Sequence, residues 1–335
     1  MERRLRFDLR VGGCDVRKCG ILGCGRMGAT IAYALMQTDW FSDLILIDPD
    51  YRKAETEATD LAHGLPFHTP MDIYAGDYAD LSDCGLIILA PELHTNPDDM
   101  LRTCFRPLAT IVGNIVLYNQ NAILLNVSDP VDLLTYIIYR ESGFPSCRVI
   151  GSGTVLETAR LKQMVGRHLG VDSRNVHSFI IGEHGENEFP VWSSANVSGV
   201  DLKHYCESCG RGYDTSVLDG LFRDVRDSAC RIVSAKGHAY YAVAESVKRI
   251  VSAIVHDENT ILPVTTPVDG HYGLENVCLS LPCILSRNGI KRVLEIPLCN
   301  EEEAALRCSA RALEKLYASY FKSETQTKIG HDLVL

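Results

Sequence analysis

The sequence predicts an α/β protein with a doubly wound parallel sheet. Three observations lead there. Strands that are apolar throughout alternate with helices. A glycine-rich turn joins the first such strand to the first helix. An acidic residue closes the second strand. A strand apolar on both sides is buried on both faces, which is the environment of a parallel sheet covered by helices.

Taken in order, Cys19-Gly20-Ile21-Leu22 leads into Gly23-Cys24-Gly25-Arg26-Met27-Gly28, followed by the helical run Ala29-Thr30-Ile31-Ala32-Tyr33-Ala34-Leu35-Met36. Strand, GxGxxG and helix together read as a pyrophosphate seat. The glycines permit a tight turn and close backbone approach, and the helix start offers free N–H groups. The second strand, Leu44-Ile45-Leu46-Ile47, ends in Asp48, 20 residues past Gly28. That spacing suits a carboxylate on a ribose 2′-hydroxyl. Because a carboxylate repels a 2′-phosphate, NAD is expected rather than NADP. The plainer reading of Asp48 is a cap on a turn.

Ala54 to His63 is helical, and Met71 to Tyr78 follows it. Leu86-Ile87-Ile88-Leu89-Ala90 is a buried strand, and Glu92 to Asp99 is a polar loop. A helix over Ile111 to Tyr118 precedes the apolar strand Ala122 to Val127. Ser128-Asp129-Pro130-Val131-Asp132 then stands at a strand's carboxyl end, where such sheets bind ligands. After Val149-Ile150-Gly151-Ser152-Gly153-Thr154 the pattern changes. Val155 to Leu169 is a long helix with Glu157 and Arg160 on one face. Asp219 to Val255 is helical, interrupted at Lys236-Gly237-His238-Ala239. Leu262 to Thr265 and Val277 to Pro282 read as strands, and Glu301 to Phe321 as a last amphipathic helix.

Composition bounds the function. The chain has 335 residues, 46% hydrophobic and 23% charged, as in ordinary globular proteins. A net charge of -10 argues against general nucleic-acid binding. No apolar run reaches bilayer length, so no membrane association is expected. The basic start Met1 to Arg10 lacks the apolar core of a secretory signal; residues 1–16 are expected to be an N-terminal arm. Thirteen scattered cysteines suggest reduced thiols in a cytoplasmic protein, and no metal is expected. Cys206 and Cys209 have CxxC spacing without a second pair, too little for a zinc site.

The stretch with chemistry is Ser178-Phe179-Ile180-Ile181-Gly182-Glu183-His184-Gly185-Glu186. A histidine between glycines at the end of an apolar strand stands at the rim of a core. There it can exchange a proton near neutral pH. Glu157 could orient it, and Arg160 could fork onto a substrate carboxylate. From local context alone a turn histidine and a surface ion pair remain the plainer readings.

These motifs resemble the L-lactate/malate dehydrogenase family, and its lactate branch most. The resemblance covers about Arg17 to Phe321 and rests on Gly23–Gly28, Asp129-Pro130-Val131-Asp132, Gly151 to Arg160 and Ile181-Gly182-Glu183-His184-Gly185. It implies a Rossmann-type NAD-binding domain over 17–150, a mixed α/β substrate domain over 151–325, and a dimer or tetramer. By resemblance, His184 is the proton donor to the ketone, Arg160 holds the substrate carboxylate, and Glu157 stands where the family has an aspartate. The cofactor-binding set becomes Gly23, Gly25, Met27, Gly28, Asp48, Tyr78, Ala90, Val127 and Asp129.

The chain departs from that pattern at several points. Asp129 replaces an asparagine, turning an amide donor into a carboxylate. In the segment after Ala90, alignment from the left puts Thr95 at the specificity position and Leu101 at that of an arginine that polarises the ketone. Alignment from the right puts the arginine position near Pro97. Arg102 is the candidate replacement, its other reading being a solvated helix residue. Ala239 replaces a threonine on the substrate side. Lys162 and His177 occupy places that some lactate dehydrogenases use to bind fructose 1,6-bisphosphate between subunits. Two function classes follow. The first is an NAD-dependent L-lactate dehydrogenase acting on a 2-keto acid such as pyruvate. The second is an impaired paralogue that binds NAD as a sensor or interaction protein. Malate dehydrogenase activity ranks below both.

Overall fold

The structure is a computed structural model and describes residues 10–11, 14–93, 100–210 and 212–331. Its first half runs β1 (Cys14–Leu22), α1 (Arg26–Met36), β2 (Asp43–Ile47), α2 (Tyr51–Gly64), β3 (Asp72–Ala75), β4 (Cys84–Leu89), α3 (Arg106–Tyr118), β5 (Ile123–Asn126), α4 (Val131–Ser142) and β6 (Val149–Gly151). These six strands pair in parallel in the order β3-β2-β1-β4-β5-β6. The order reverses between β1 and β4, so the sheet is doubly wound, as expected. Every residue of β4 and β5 is buried, matching a sequence that is apolar but for Asn126 at the end of β5.

The second half adds α5 (Val155–Leu169), β7 (Ile180–Gly182), β8 (Glu188–Pro190), α6 (Thr215–Lys236), α7 (Tyr241–Val255), β9 (Thr260–Asp269), β10 (Glu275–Ser286) and α8 (Asn300–His331). Its strands continue the same sheet in antiparallel order. Thr265 of β9 pairs with Gly151 of β6, β10 pairs with β9, and Ser280 of β10 pairs with Gly182 of β7. This continuity was not legible in the sequence. A smaller apolar core, with Leu161, Val165, Ile180 and Val225 at its centre, lies between α5, α6 and β7.

Local chemistry explains several boundaries. The expected long helix from Asp219 begins earlier, at Thr215, because the Asp214 side chain accepts from the Ser216 N–H. It stops at Lys236, where Gly237 takes φ +86°. The last helix extends past its expected end to His331. Arg10 and Val11 pair back on Asp15 and Cys14, so the expected arm folds onto β1 over this part. Cys206 is buried in the smaller core, Cys209 is exposed, and neither is in a disulfide.

Candidate active site

The glycine turn is sterically specified. Gly23 has φ +98°, and a Cβ there would strike the Ala90 carbonyl. A Cβ on Gly28 would strike the Gly23 carbonyl, so α1 and β1 meet here only as glycines. Asp48 Oδ2 accepts from the Cys24 N–H at 2.8 Å and Oδ1 from the Asp50 N–H at 3.0 Å. Lys53 Nζ lies 3.7 Å from Oδ2. The acid therefore ties the end of β2 to the turn. The nearest atoms to the face of Gly25 where a Cβ would stand are those at the side-chain end of Glu92. A cradle closed by one flexible, exposed side chain fits a pyrophosphate once that side chain swings aside.

A cavity of about 380 Å³ opens beside this turn. Met27, Val127, Asp129, Glu157, Arg160, His184, His238 and Ala239 line it. The expected catalytic trio therefore converges from three places: the first turn of α5 brings Glu157, the next turn brings Arg160, and the loop after β7 brings His184. Gly182 turns that loop with φ +98°, and Asp132 fixes it by accepting from the His184 backbone N–H at 2.5 Å. Thr265 donates to the other oxygen of Asp132 at 2.6 Å.

Around the imidazole, Glu157 Oε2 lies 3.5 Å and Glu188 Oε2 3.8 Å from Nδ1, while Asp129 Oδ1 lies 3.8 Å from Nε2. Burial opposes a charge on His184, yet Glu157, Asp129, Glu188 and Asp132 together raise its pKa to about 9. Burial, only partly offset by the Thr265 hydroxyl and His184, pushes the Asp132 carboxyl up to about 6. Arg160 Nη1 is 3.1 Å from Glu157 Oε1. The histidine is thus held charged at neutral pH, facing a cavity with a guanidinium on its wall. That is the equipment for giving a proton to an anionic carbonyl compound.

The other expected residues fall as follows. Ala90 is buried under the glycine turn. Tyr78 is half-buried and hydrogen-bonded to Asn114 of α3, away from the cavity lining. Arg102 lies in the turn Leu101–Phe105 with an exposed side chain, also outside that lining. Thr95 lies outside the described residues. Lys162 and His177 line a separate cavity of about 510 Å³ together with Arg174 and Arg249. Sequence reasoning missed Glu188, Thr265 and the anchoring part of Asp132. The only signal in the sequence for Glu188 was its place directly before the apolar run Phe189-Pro190-Val191.

A doubly wound sheet of this order seats a dinucleotide at the carboxyl ends of its strands, and His184, Glu157 and Arg160 meet beside that seat. The class defined by these features is the NAD-dependent dehydrogenases. Comparison with known proteins gives the family. Residues 17–151 match the lactate/malate dehydrogenase NAD binding domain, and residues 154–324 match the lactate/malate dehydrogenase alpha/beta C-terminal domain. An L-lactate dehydrogenase of Thermoanaerobacter sp. (strain X514) is 42% identical over 305 residues, 90% of this chain and 98% of the relative. One from Clostridium perfringens is 44% identical over 301 residues, 89% of this chain and 95% of the relative. The crystal structure of a lactate dehydrogenase from a Medee basin deep-sea metagenome library superposes with a TM-score of 0.86 at 38% identity, covering 89% of this chain and 97% of that one. The minor L-lactate dehydrogenase of Enterococcus mundtii gives 0.86 at 33%, covering 90% and 98%. The chain belongs to the lactate/malate dehydrogenase family.

Proposed function

We propose that the protein is an NAD-dependent L-lactate dehydrogenase, interconverting a small 2-keto acid such as pyruvate with the L-2-hydroxy acid. The observation that carries this reading is the meeting of His184, Glu157 and Arg160 on one cavity beside the glycine turn. The relatives named above are L-lactate dehydrogenases, which favours the enzyme over the impaired paralogue. NAD, when bound, supplies or accepts the hydride. Gly23, Gly25 and Gly28 let the backbone approach its pyrophosphate, and Asp48 stands at the ribose end. Arg160 pairs with the substrate carboxylate. His184 Nε2 gives its proton to the ketone oxygen during reduction and takes it back during oxidation. Glu157 keeps the ring oriented and offsets its charge.

We further propose an effector site at the second cavity. Lys162, Arg174, His177 and Arg249 gather four basic side chains there, suited to a sugar bisphosphate such as fructose 1,6-bisphosphate. A dimer or tetramer, a cytoplasmic location and a division of the chain near residue 150 belong to the same reading. No described helix is long and apolar enough to cross a membrane.

The test is NADH oxidation followed at 340 nm with pyruvate, longer 2-keto acids and oxaloacetate, with and without fructose 1,6-bisphosphate. Turnover on pyruvate that disappears in His184→Ala is expected. NADH binding without turnover on any of these acids would overturn the enzyme reading.

A further inference from the structure

Two buried acids, not one, face Nδ1 of His184. Glu157 and Glu188 have side chains 8% and 4% exposed. Among the described residues, Glu157 Oε2, Glu188 Oε2 and His184 Nδ1 each have no hydrogen-bond partner, and all three lie within 4.8 Å of one another. Glu188 reaches this place because β8 folds back on β7 with Glu188 opposite Gly182. That register brings the acid alongside the histidine two residues past Gly182.

The surroundings hold other charges. Arg160 bonds the far oxygen of Glu157. Arg226 of α6 and the Gly185 N–H bear on Glu188. Asp132 and Glu183 lie at the histidine's backbone side, and Asp129 faces Nε2. Two ionised carboxylates this close in so dry a space repel each other. One proton on Glu188 removes the repulsion.

We propose that Glu188 is a positioning residue for proton transfer: it stands protonated behind Nδ1 of His184 beside Glu157, so that only one of the two acids sets its charge against the ring at neutral pH. Burial first, and then Glu157, push the Glu188 carboxyl up to about 8 against the opposing pull of His184, Arg226 and the Gly185 N–H. Glu188 therefore keeps its proton at neutral pH and ionises only in mild alkali. The second charge that appears there holds the imidazolium to higher pH. Proton balance is simple: His184 loses its Nε2 proton to the substrate oxygen, keeps Nδ1–H, and the Glu188 proton stays in place.

The inference rests on His184 as the proton donor, and its test must not depend on turnover alone. The experiment is the pH titration of His184 by nitrogen NMR in protein labelled with ¹⁵N-histidine. It is run beside pH profiles of kcat and KM for keto-acid reduction, on the wild type, Glu188→Gln and Glu188→Ala. Glu188→Gln keeps the shape and a donor but cannot ionise. It is expected to lower the His184 pKa by roughly one unit, moving the alkaline limb of kcat/KM with it. At pH 7 its kcat falls less than about tenfold with KM unchanged. Glu188→Ala also removes the side chain beside Glu157, and kcat falls further. A His184 titration unchanged in Glu188→Gln would overturn the inference. So would a titration of the wild type that moves on treatment with EDTA, which would assign the three atoms to a divalent cation. If the wild type turns over no keto acid, the dehydrogenase reading fails, while the His184 titration still decides the acid pair.

Discussion

Arg160 donates to Glu157 at 3.1 Å, and the oxygen it bonds, Oε1, is not the one that faces His184. One carboxylate thus links the guanidinium on the cavity wall to the imidazole of His184. Each of its oxygens has a different neighbour, so Glu157 sets the distance between the group that would hold a substrate's carboxylate and the one that would protonate its ketone.

Replacing Arg160 by Lys keeps the charge but loses the planar fork. The variant loses a bidentate pair with the substrate and the bond to Glu157 together. It is expected to show kcat/KM for pyruvate lower by roughly 10²–10⁴-fold, two charge-assisted hydrogen bonds being worth about 1.5–3 kcal/mol each. Most of the loss should fall in KM, with a smaller loss in kcat from the freed Glu157. Steady-state kinetics decide it; a kcat loss alone would assign Arg160 to holding Glu157 and not to the substrate.

Asp129 places a second carboxylate oxygen 3.8 Å from His184 Nε2, on the side that faces the cavity. That charge raises the imidazole's proton affinity and repels an incoming keto acid. Asp129→Asn removes both effects. Its KM for pyruvate should fall several-fold and its alkaline limb should move to lower pH. An unchanged KM would mean that Asp129, whose side chain is 78% exposed, turns to solvent when substrate binds.

Stability should fall with rising pH in a defined window. His184 has its pKa raised to about 9 from an ordinary 6.5. The native state therefore binds this proton more tightly than the unfolded chain. That contribution is complete below about 6.5 and is lost as pH climbs through about 9. Glu188 acts in the same direction: its carboxyl, raised to about 8, is protonated in the native state over a range where the unfolded chain has released the proton. A thermal melting point that declines between pH 6.5 and 9.5, and declines less in His184→Asn, is expected by scanning fluorimetry. A flat profile in the wild type would contradict it.

The parallel half of the fold was legible because its constraints are local. The φ +98° turn at Gly23 admits only glycine, and β4 and β5 are apolar up to Asn126 because both faces are covered. His184 was legible for the same reason, lying just past a buried strand and a glycine at φ +98°. Glu188 was not, because its place depends on strand register, and register is set by what β7 and β8 pack against. Thr265 is 133 residues from Asp132, and only the antiparallel extension of the sheet brings its hydroxyl to that carboxylate. The consequence of replacing an aspartate by Glu157 also needed coordinates. The longer arm stops at 3.5 Å from Nδ1 with no hydrogen-bond partner for Oε2 among the described residues, and the Oε2 of the second acid lies 3.8 Å from the same nitrogen.

Glu92 offers the last test, on the cofactor side. Its carboxyl end stands over the open face of Gly25, where the glycine turn would receive a pyrophosphate. Dinucleotide binding must move this side chain and still leaves a negative charge near a negative ligand. Two unit charges about 4 Å apart in water repel by about 1 kcal/mol, so Glu92→Ala and Glu92→Gln should each bind NADH roughly fivefold more tightly. Glu92 is exposed, so added salt should narrow the difference within the range of ordinary screening. Fluorescence titration of NADH at low and high salt measures both effects. Equal affinity in wild type and Glu92→Gln at low salt would show that the side chain leaves the turn without electrostatic consequence. A weaker Glu92→Ala together with an unchanged Glu92→Gln would assign Glu92 to packing the turn.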